Sequence, residues 1–339
     1  MNKIVISLIL VLCLFRAEAQ DTFSIVAIDS VTGEVGSAGA SCVGSSSTYP
    51  HGAAILSDVI PGIGVIHTQA AWNPNNQQYA HDLMTGGSSP EEIIDSLVAN
   101  DASNNPSTRQ YGIADHNGGH PRSAAYTGAN CLDYKNHVTG PGYSIQGNIL
   151  LGQEILDSME SRYLNTPGPL ADRLMAALQG AKVLGADTRC APKGTSSQSS
   201  FLRVGRPDDP YDSLYCDLWM AYPQNYPGMY PVDPIDSLQT LFDLWKTSVG
   251  TGKGHQPPLS GIRVYRSGSG EIVVDLMRSS ATPGGRISIM DVSGRVILTS
   301  DLGGTVNHIS IGDRLKNGIY IYRVADGSGA VVASGKLCF

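Results

Sequence analysis

The chain has 339 residues, 41% of them hydrophobic and 16% charged, with 39 Gly, 19 Pro and a formal net charge of −7. That length corresponds to about two or three domains and provides enough interior for a core that needs neither metal nor dense disulfides. The modest charge and fair hydrophobicity exclude a disordered or collagen-like chain. The acidic balance excludes an electrostatic nucleic-acid binder, which requires a basic face.

At the amino terminus, Asn2-Lys3 precede the apolar run Ile4–Phe15, and Ala17-Glu18-Ala19 follows. This is the form of a secretory signal peptide cleaved after Ala19. The run is too short for a membrane span, which takes about 20 residues. Loss of residues 1–19 removes Lys3, Arg16 and Glu18 and moves the net charge from −7 to −8. The remainder is uneven: residues 261–339 hold nine Lys/Arg and six Asp/Glu, a net +3, so residues 20–260 hold −11. The change of sign marks two domains with different tasks.

Thr22–Ala27 predicts a strand, Asp29–Glu34 a turn, and Val35–Ser41 a returning strand, together a hairpin. Its small residues Gly36, Ala38, Gly39 and Ala40 predict close packing against another layer. A third strand is expected over Ala53–Leu56 and, after the Pro61-Gly62 turn, a fourth over Gly64–Thr68. Ser89, Pro90 and Glu92 form a capping box ahead of Ile93, Ile94, Leu97 and Val98, predicting a helix. Strand-like Arg109–Asp115 and Arg122–Thr127 follow, the turn Asn117-Gly118-Gly119 between them carrying His116 and His120 as exposed loop histidines. Two helices come next, Asn148–Tyr163 and one opening at Pro169 with Leu170, Leu174, Ala177, Leu178 and Ala181 on one face. The Ser-rich stretch Thr195–Ser200 lacks the spacing of a phosphate loop and reads as an exposed flexible loop, with a strand over Ser200–Val204. Tyr211, Tyr215, Tyr222, Tyr226 and Tyr230 alternate with prolines and read as an extended segment packed on the core. Pro234–Ser248 is an amphipathic helix.

Strands, then a helix pair, then strands predict an α/β sandwich with antiparallel sheets. Thr251–Ser260 is a Gly/Pro-rich linker. Beyond it, short runs at Ile262–Val264, Ile272–Leu276, Ile287–Ile289, Ile309–Ile311 and Ile319–Ile321 predict a small all-β sandwich. The expected organisation is a signal peptide at 1–19, an α/β domain at 20–250, a linker at 251–260 and a β-sandwich at 261–339.

Five cysteines follow the signal: Cys42, Cys131, Cys190, Cys216 and Cys338. Cys190 and Cys216 lie in Gly/Pro/Ser-rich segments and are one available pair in an oxidising compartment. The alternative is buried thiols acting as small hydrophobes. No C-x-x-C or H-E-x-x-H spacing supports a zinc site, and no cofactor is expected.

Residues 20–250 resemble the domain-of-unknown-function family 1028, within the N-terminal nucleophile (Ntn) hydrolase-like group. The residues carrying the likeness are Thr22–Ala27, Asp29, Thr32–Gly36, Thr68-Gln69-Ala70 with Asn73-Pro74, Arg109-Gln110, Thr127-Gly128 with Cys131, Gly147-Asn148 and Leu170–Leu174. The resemblance implies an αββα four-layer sandwich. The last domain resembles the C-terminal sorting domain of type IX secretion, through Asp291–Val296, Leu315–Val324 and Gly335-Lys336-Leu337. That likeness implies the type IX machinery as a partner, and a secreted or cell-surface location reached by the Sec pathway and then across the outer membrane.

In an Ntn hydrolase the first residue of the mature chain supplies both a nucleophile and, through its α-amine, the base. An α-amine pKa of about 7.7–8.0 makes that base available near neutrality. The resemblance places Thr22 as the nucleophile, with Ser41 or Cys42 close to it across the hairpin. Thr68, Gln69 and Asn73 are expected to line the same cleft, with backbone amides as an oxyanion site. The substrate would be a peptide or other small amide, and a homo-oligomer is left open. Cleavage after Ala19 leaves Gln20-Asp21 ahead of Thr22, and the hairpin region has no Lys or Arg between Arg16 and Arg109. The competing reading is therefore a non-catalytic exported binding or surface protein on the same fold. A third uses internal Ser41 or Cys42 with His51 or His67, without the G-x-S-x-G elbow.

Overall fold

The computed structural model describes residues 22–249 apart from 118, together with most strands of 263–338. The signal segment, Gln20-Asp21 and the expected linker 251–260 lie outside the described residues.

Two antiparallel sheets build the N-terminal region. The larger comprises β1 Thr22–Ile28, β2 Val35–Ser41, β7 Asn136–Gly140, β8 Tyr143–Gly147, β9 Ser199–Gly205 and β10 Cys216–Ala221, in the order β10-β9-β2-β1-β8-β7. The smaller comprises β3 Ser57–Ile60, β4 Gly64–Ala70, β5 Arg109–Asn117 and β6 His120–Thr127, in chain order. Helices α1 Pro74–Thr85 and α2 Pro90–Ala99 cover the outer face of the smaller sheet, where Ala80, Met84, Ile93 and Leu97 meet Ile66, Tyr111 and Ile113. Helices α3 Gln153–Asn165, α4 Leu170–Gly180 and α5 Pro234–Val249 cover the larger one, burying Phe23, Ile25, Ala38, Ala40, Ile145 and Leu202 against Leu156, Leu174, Leu178 and Phe242. The layers run helix, sheet, sheet, helix.

Strand alternation sorts the side chains between these layers. Phe23, Ile25 and Ala27 point to the helices, so Thr22, Ser24, Val26 and Ile28 point between the sheets. The glycines expected to permit close approach do so on both faces. A Cβ on Gly36 would lie 2.9 Å from Leu174 Cδ1, and one on Gly39 would lie 2.8 Å from the Phe201 ring.

Several expectations are corrected. Gly52–Leu56 is a 3-10 turn rather than a strand: Gly52 has φ +56° and Ala53 N–H donates to Ser199 Oγ at 2.9 Å, which curls the chain before β3. Helix α3 starts at Gln153, not Asn148, because the backbone of 148–151 bonds to Thr22, Leu132, Tyr134 and Ala186 instead. Thr195–Ser200 is buried, not an exposed loop; Ser196, Ser199 and Ser200 bond to Asp233, Val43 O and Pro234 O. His116 lies half-buried within β5, while His120 is exposed. Helix α1 and strands β7, β8 and β10 are additional to the expected elements; the buried face of α1 is only Asn76, Ala80 and Met84. The capping box at Ser89 and Glu92 is present as expected. Tyr222 and Tyr230 stack at 4.4 Å and are buried in the Pro-rich segment, whereas Tyr211 is exposed.

The C-terminal β region forms a three-stranded sheet, β11 Arg263–Arg266, β12 Ile272–Asp275 and β15 Val306–Ile309. A four-stranded sheet pairs β14 Val296–Leu302, β13 Gly285–Asp291, β16 Ile319–Ala325 and β17 Val331–Cys338. Their core includes Ile272, Val274, Ile287, Ile289, Leu298 and Val324.

The disulfide differs from the expected pair. Cys190 bonds to Cys42, with Cα atoms 5.7 Å apart, while Cys216 is a buried thiol on β10. The bond closes a sequence separation of 148 residues. In the chain-entropy account such a loop contributes about 4–5 kcal/mol by restricting the unfolded chain. A Cys42→Ser/Cys190→Ser variant is therefore expected to lose up to about 5 kcal/mol of stability. Urea unfolding with and without a thiol reductant measures it; an unchanged midpoint would contradict the expectation.

Candidate functional site

Five strand ends converge at one end of the sandwich. β1 begins at Thr22, which lies directly across from Ser41 at the end of β2. Just past the end of β8, Asn148 donates its backbone N–H to Thr22 O at 3.1 Å. From the facing sheet, Gln69 at the end of β4 pairs with Gln110 at the start of β5.

The inward side chains here are polar and joined. Ser24 Oγ donates to Gln69 Oε1 at 2.6 Å. Gln69 Nε2 donates to Gln110 Oε1 at 2.8 Å and to Thr22 O at 3.3 Å. Asn148 Nδ2 donates to Gln110 Oε1 at 3.0 Å, and Gln110 Nε2 reaches Thr127 Oγ1 and Gly147 O at 2.9 Å each. Gln146 Nε2 closes the chain back onto Ser24 Oγ at 2.7 Å. Farther along, the same inter-sheet space is apolar, filled by Val26, Ile28, Val35, Val59, Val65 and Ala114.

Thr22, Ser41 and Gln69 are thus brought together, and the other expected residues are not. Thr68 is two-fold out of phase with Gln69 and sits on the helix-facing side with Ile66; its buried Oγ1 has no hydrogen-bond partner among the described residues. Asn73 caps α1, its Oδ1 accepting from Asn75 N at 2.9 Å and Asn76 N at 3.3 Å. Cys42 is bound in the disulfide, so its sulfur is no nucleophile in this structure.

The segment around Cys190 supplies what sequence reasoning missed. Asp187 is fully buried, and its Oδ2 accepts from Cys42 N at 2.8 Å and from Arg189 Nη2 at 2.7 Å. Arg189 Nε adds a second arm to Oδ1 at 3.0 Å. A basic group absent from the hairpin is thereby carried to the residue that follows Ser41. Gln110 and Asn148 were visible in sequence only as parts of a resemblance. Among the described residues, no group of three or more His, Cys, Asp or Glu could hold a metal ion.

The model of the family of unknown function DUF1028 matches residues 22–225. The chain belongs to this family. A crystal structure of a protein from Silicibacter pomeroyi assigned to the same DUF1028 family is similar in fold, with a TM-score of 0.52 and 24% identity, covering 69% of this chain and 91% of that one. No curated protein matches the sequence. Residues 269–337 match the secretion system C-terminal sorting domain. That domain addresses this DUF1028 protein to the type IX machinery and across the outer membrane, giving a secreted or cell-surface location.

Two buried ionisable groups flank the DUF1028 seam. Asp101 loses solvation, which raises its pKa, but donors from Arg109, Asn105, Asn76 and Ser103 outweigh that and hold its carboxyl well below the usual range. His67 has its pKa pushed down to about 3 by burial and then by the Arg203 charge. The folded state thus keeps His67 neutral, whereas the unfolded chain takes up a proton below its ordinary pKa of about 6.5. Stability is expected to fall as pH drops from about 6.5 toward 3, and a His67→Gln variant to show a shallower loss. Parallel pH series of urea midpoints test this. In the seam itself, Gln110→Leu strands the donors of Gln69 and Asn148 and should cost about 3 kcal/mol, read from the same midpoints.

Proposed function

We propose that the protein is a secreted Ntn-type amide-bond hydrolase with Thr22 as nucleophile. The Ntn-like sandwich would occupy residues 20–250, joined by the linker 251–260 to a sorting domain over 261–339. The supporting observation is the placement of Thr22. It opens β1 on the inner face, opposite Ser41, with its carbonyl oxygen held by Asn148 N–H and Gln69 Nε2.

Removal of Gln20-Asp21 creates the amine. The Thr22 hydroxyl then attacks the amide carbonyl carbon while the α-amine takes its proton. Collapse of the tetrahedral intermediate breaks the C–N bond, the proton passes to the leaving amine, and an ester to Thr22 remains for water to hydrolyse. Ser41 is suited to orient the hydroxyl. Asp187 and Arg189 fix the turn after Ser41 through Cys42 N–H and the disulfide.

A second reading, a non-catalytic exported binding or surface protein, is favoured by the two residues that precede Thr22. Sequencing the amino terminus of the exported protein separates the two: a chain starting at Thr22 supports the hydrolase, a retained Gln20 the binding protein. For the trimmed protein, Thr22→Ala is expected to lower turnover of a peptide or amide panel on the order of a thousandfold or more. Full activity in Thr22→Ala would sink the proposal.

A further inference from the structure

A separate cleft lies where the turn Gly52–Leu56 covers the inner face of β9 and β10. It measures about 110 Å³ and is lined by Pro50, His51, Ala54, Ile55, Arg203 and Asp217. Arg203 and Asp217 are cross-strand partners, with Nε 3.4 Å from Oδ1. The contact is loose: the buried Nε makes no hydrogen bond, although Nη1 is anchored on Ser57 O at 2.7 Å. Asp217 is 46% exposed, so its carboxylate remains reachable. The His51 ring lies flat on Trp219, centroids 4.2 Å apart and planes at 18°, giving one rigid wall. Pro50, Ala54 and Ile55 give an apolar one.

We propose that this cleft binds a small α-amino acid as its zwitterion. The ligand carboxylate meets Arg203, the ammonium meets Asp217, and the side chain lies against Pro50, Ala54 and Ile55. A ligand carrying both signs on neighbouring atoms replaces one poor contact with two good ones. A ligand of single charge leaves either Arg203 or Asp217 uncompensated, which is the source of discrimination. The cleft is small and open on one side, which suits an amino acid with a short side chain such as glycine or alanine. The proposal is independent of Thr22, because its test reads binding and not turnover.

Titration of the intact exported protein with L-alanine, acetate and methylammonium, followed by NMR shifts or calorimetry, tests it. Alanine is expected to saturate by about 10 mM and to bind at least about tenfold better than either singly charged probe. Asp217→Asn should weaken alanine about tenfold and bring it level with acetate. An unchanged urea midpoint in that variant separates loss of the ligand contact from loss of fold. No saturable response to alanine, no preference over acetate, or undiminished alanine binding by Asp217→Asn would each overturn the proposal.

Discussion

Everything at the Thr22 end depends on one constraint: two sheets pack face to face there through amides and hydroxyls instead of hydrocarbon. Each such group gives up water, so nearly all find a partner inside, Asn148 Oδ1 and His67 Nε2 being exceptions among the described residues. Gln69 and Gln110 meet that demand jointly, one carboxamide bonding to the other and to three strands' worth of neighbours. Gly112 supplies the space, since a Cβ there would come within 2.0 Å of Gln146 Oε1. The two largest apolar cores of this region lie on the outer faces, against the helices, with a smaller one between the sheets, and their burial stabilises the fold.

The disulfide adds a second tie across the same region. Cys42 follows the last residue of β2, and Cys190 follows Arg189, so one covalent bond and one buried carboxylate bring distant segments beside Ser41. The loop holding Asp187 also bridges to Leu150, behind the end of β8. The position of Thr22 is therefore enforced from β2, from β8 and from the facing sheet.

Much of this fold was legible in the residues. The β1–β2 hairpin, the capped helix at Ser89, the helix over Pro234–Val249 and the β-rich tail carry strong local signals. Strand β8 was hidden because it is short, and α1 because polar residues cover most of it. The Asn73-Pro74 pair, a cap followed by a first-turn proline, was the signal for α1. The site was legible only in part. Thr22, Ser41 and Gln69 converge, but Thr68 and Asn73 neighbour Gln69 in sequence and not in space. Alternation sends the first to the other face, and the helix cap takes the second. The Cys42–Cys190 pairing and the Asp187–Arg189 contact depend on tertiary proximity, which no spacing rule contains.

The seam also has a bearing on how the strands find their alignment. Were β4 to slip by one residue against β5, His67 and Gln69 would turn toward α1 and α2, and Ile66 and Thr68 would enter the space between the sheets. Gln110, Asn148 and Ser24 would then face hydrocarbon and a hydroxyl with too few bonding groups. An all-apolar interface would tolerate such a slip at small cost. Here the hydrogen-bonding side chains act as a proofreading key for strand alignment, and replacing any one of them leaves its partners' donors or acceptors unmatched.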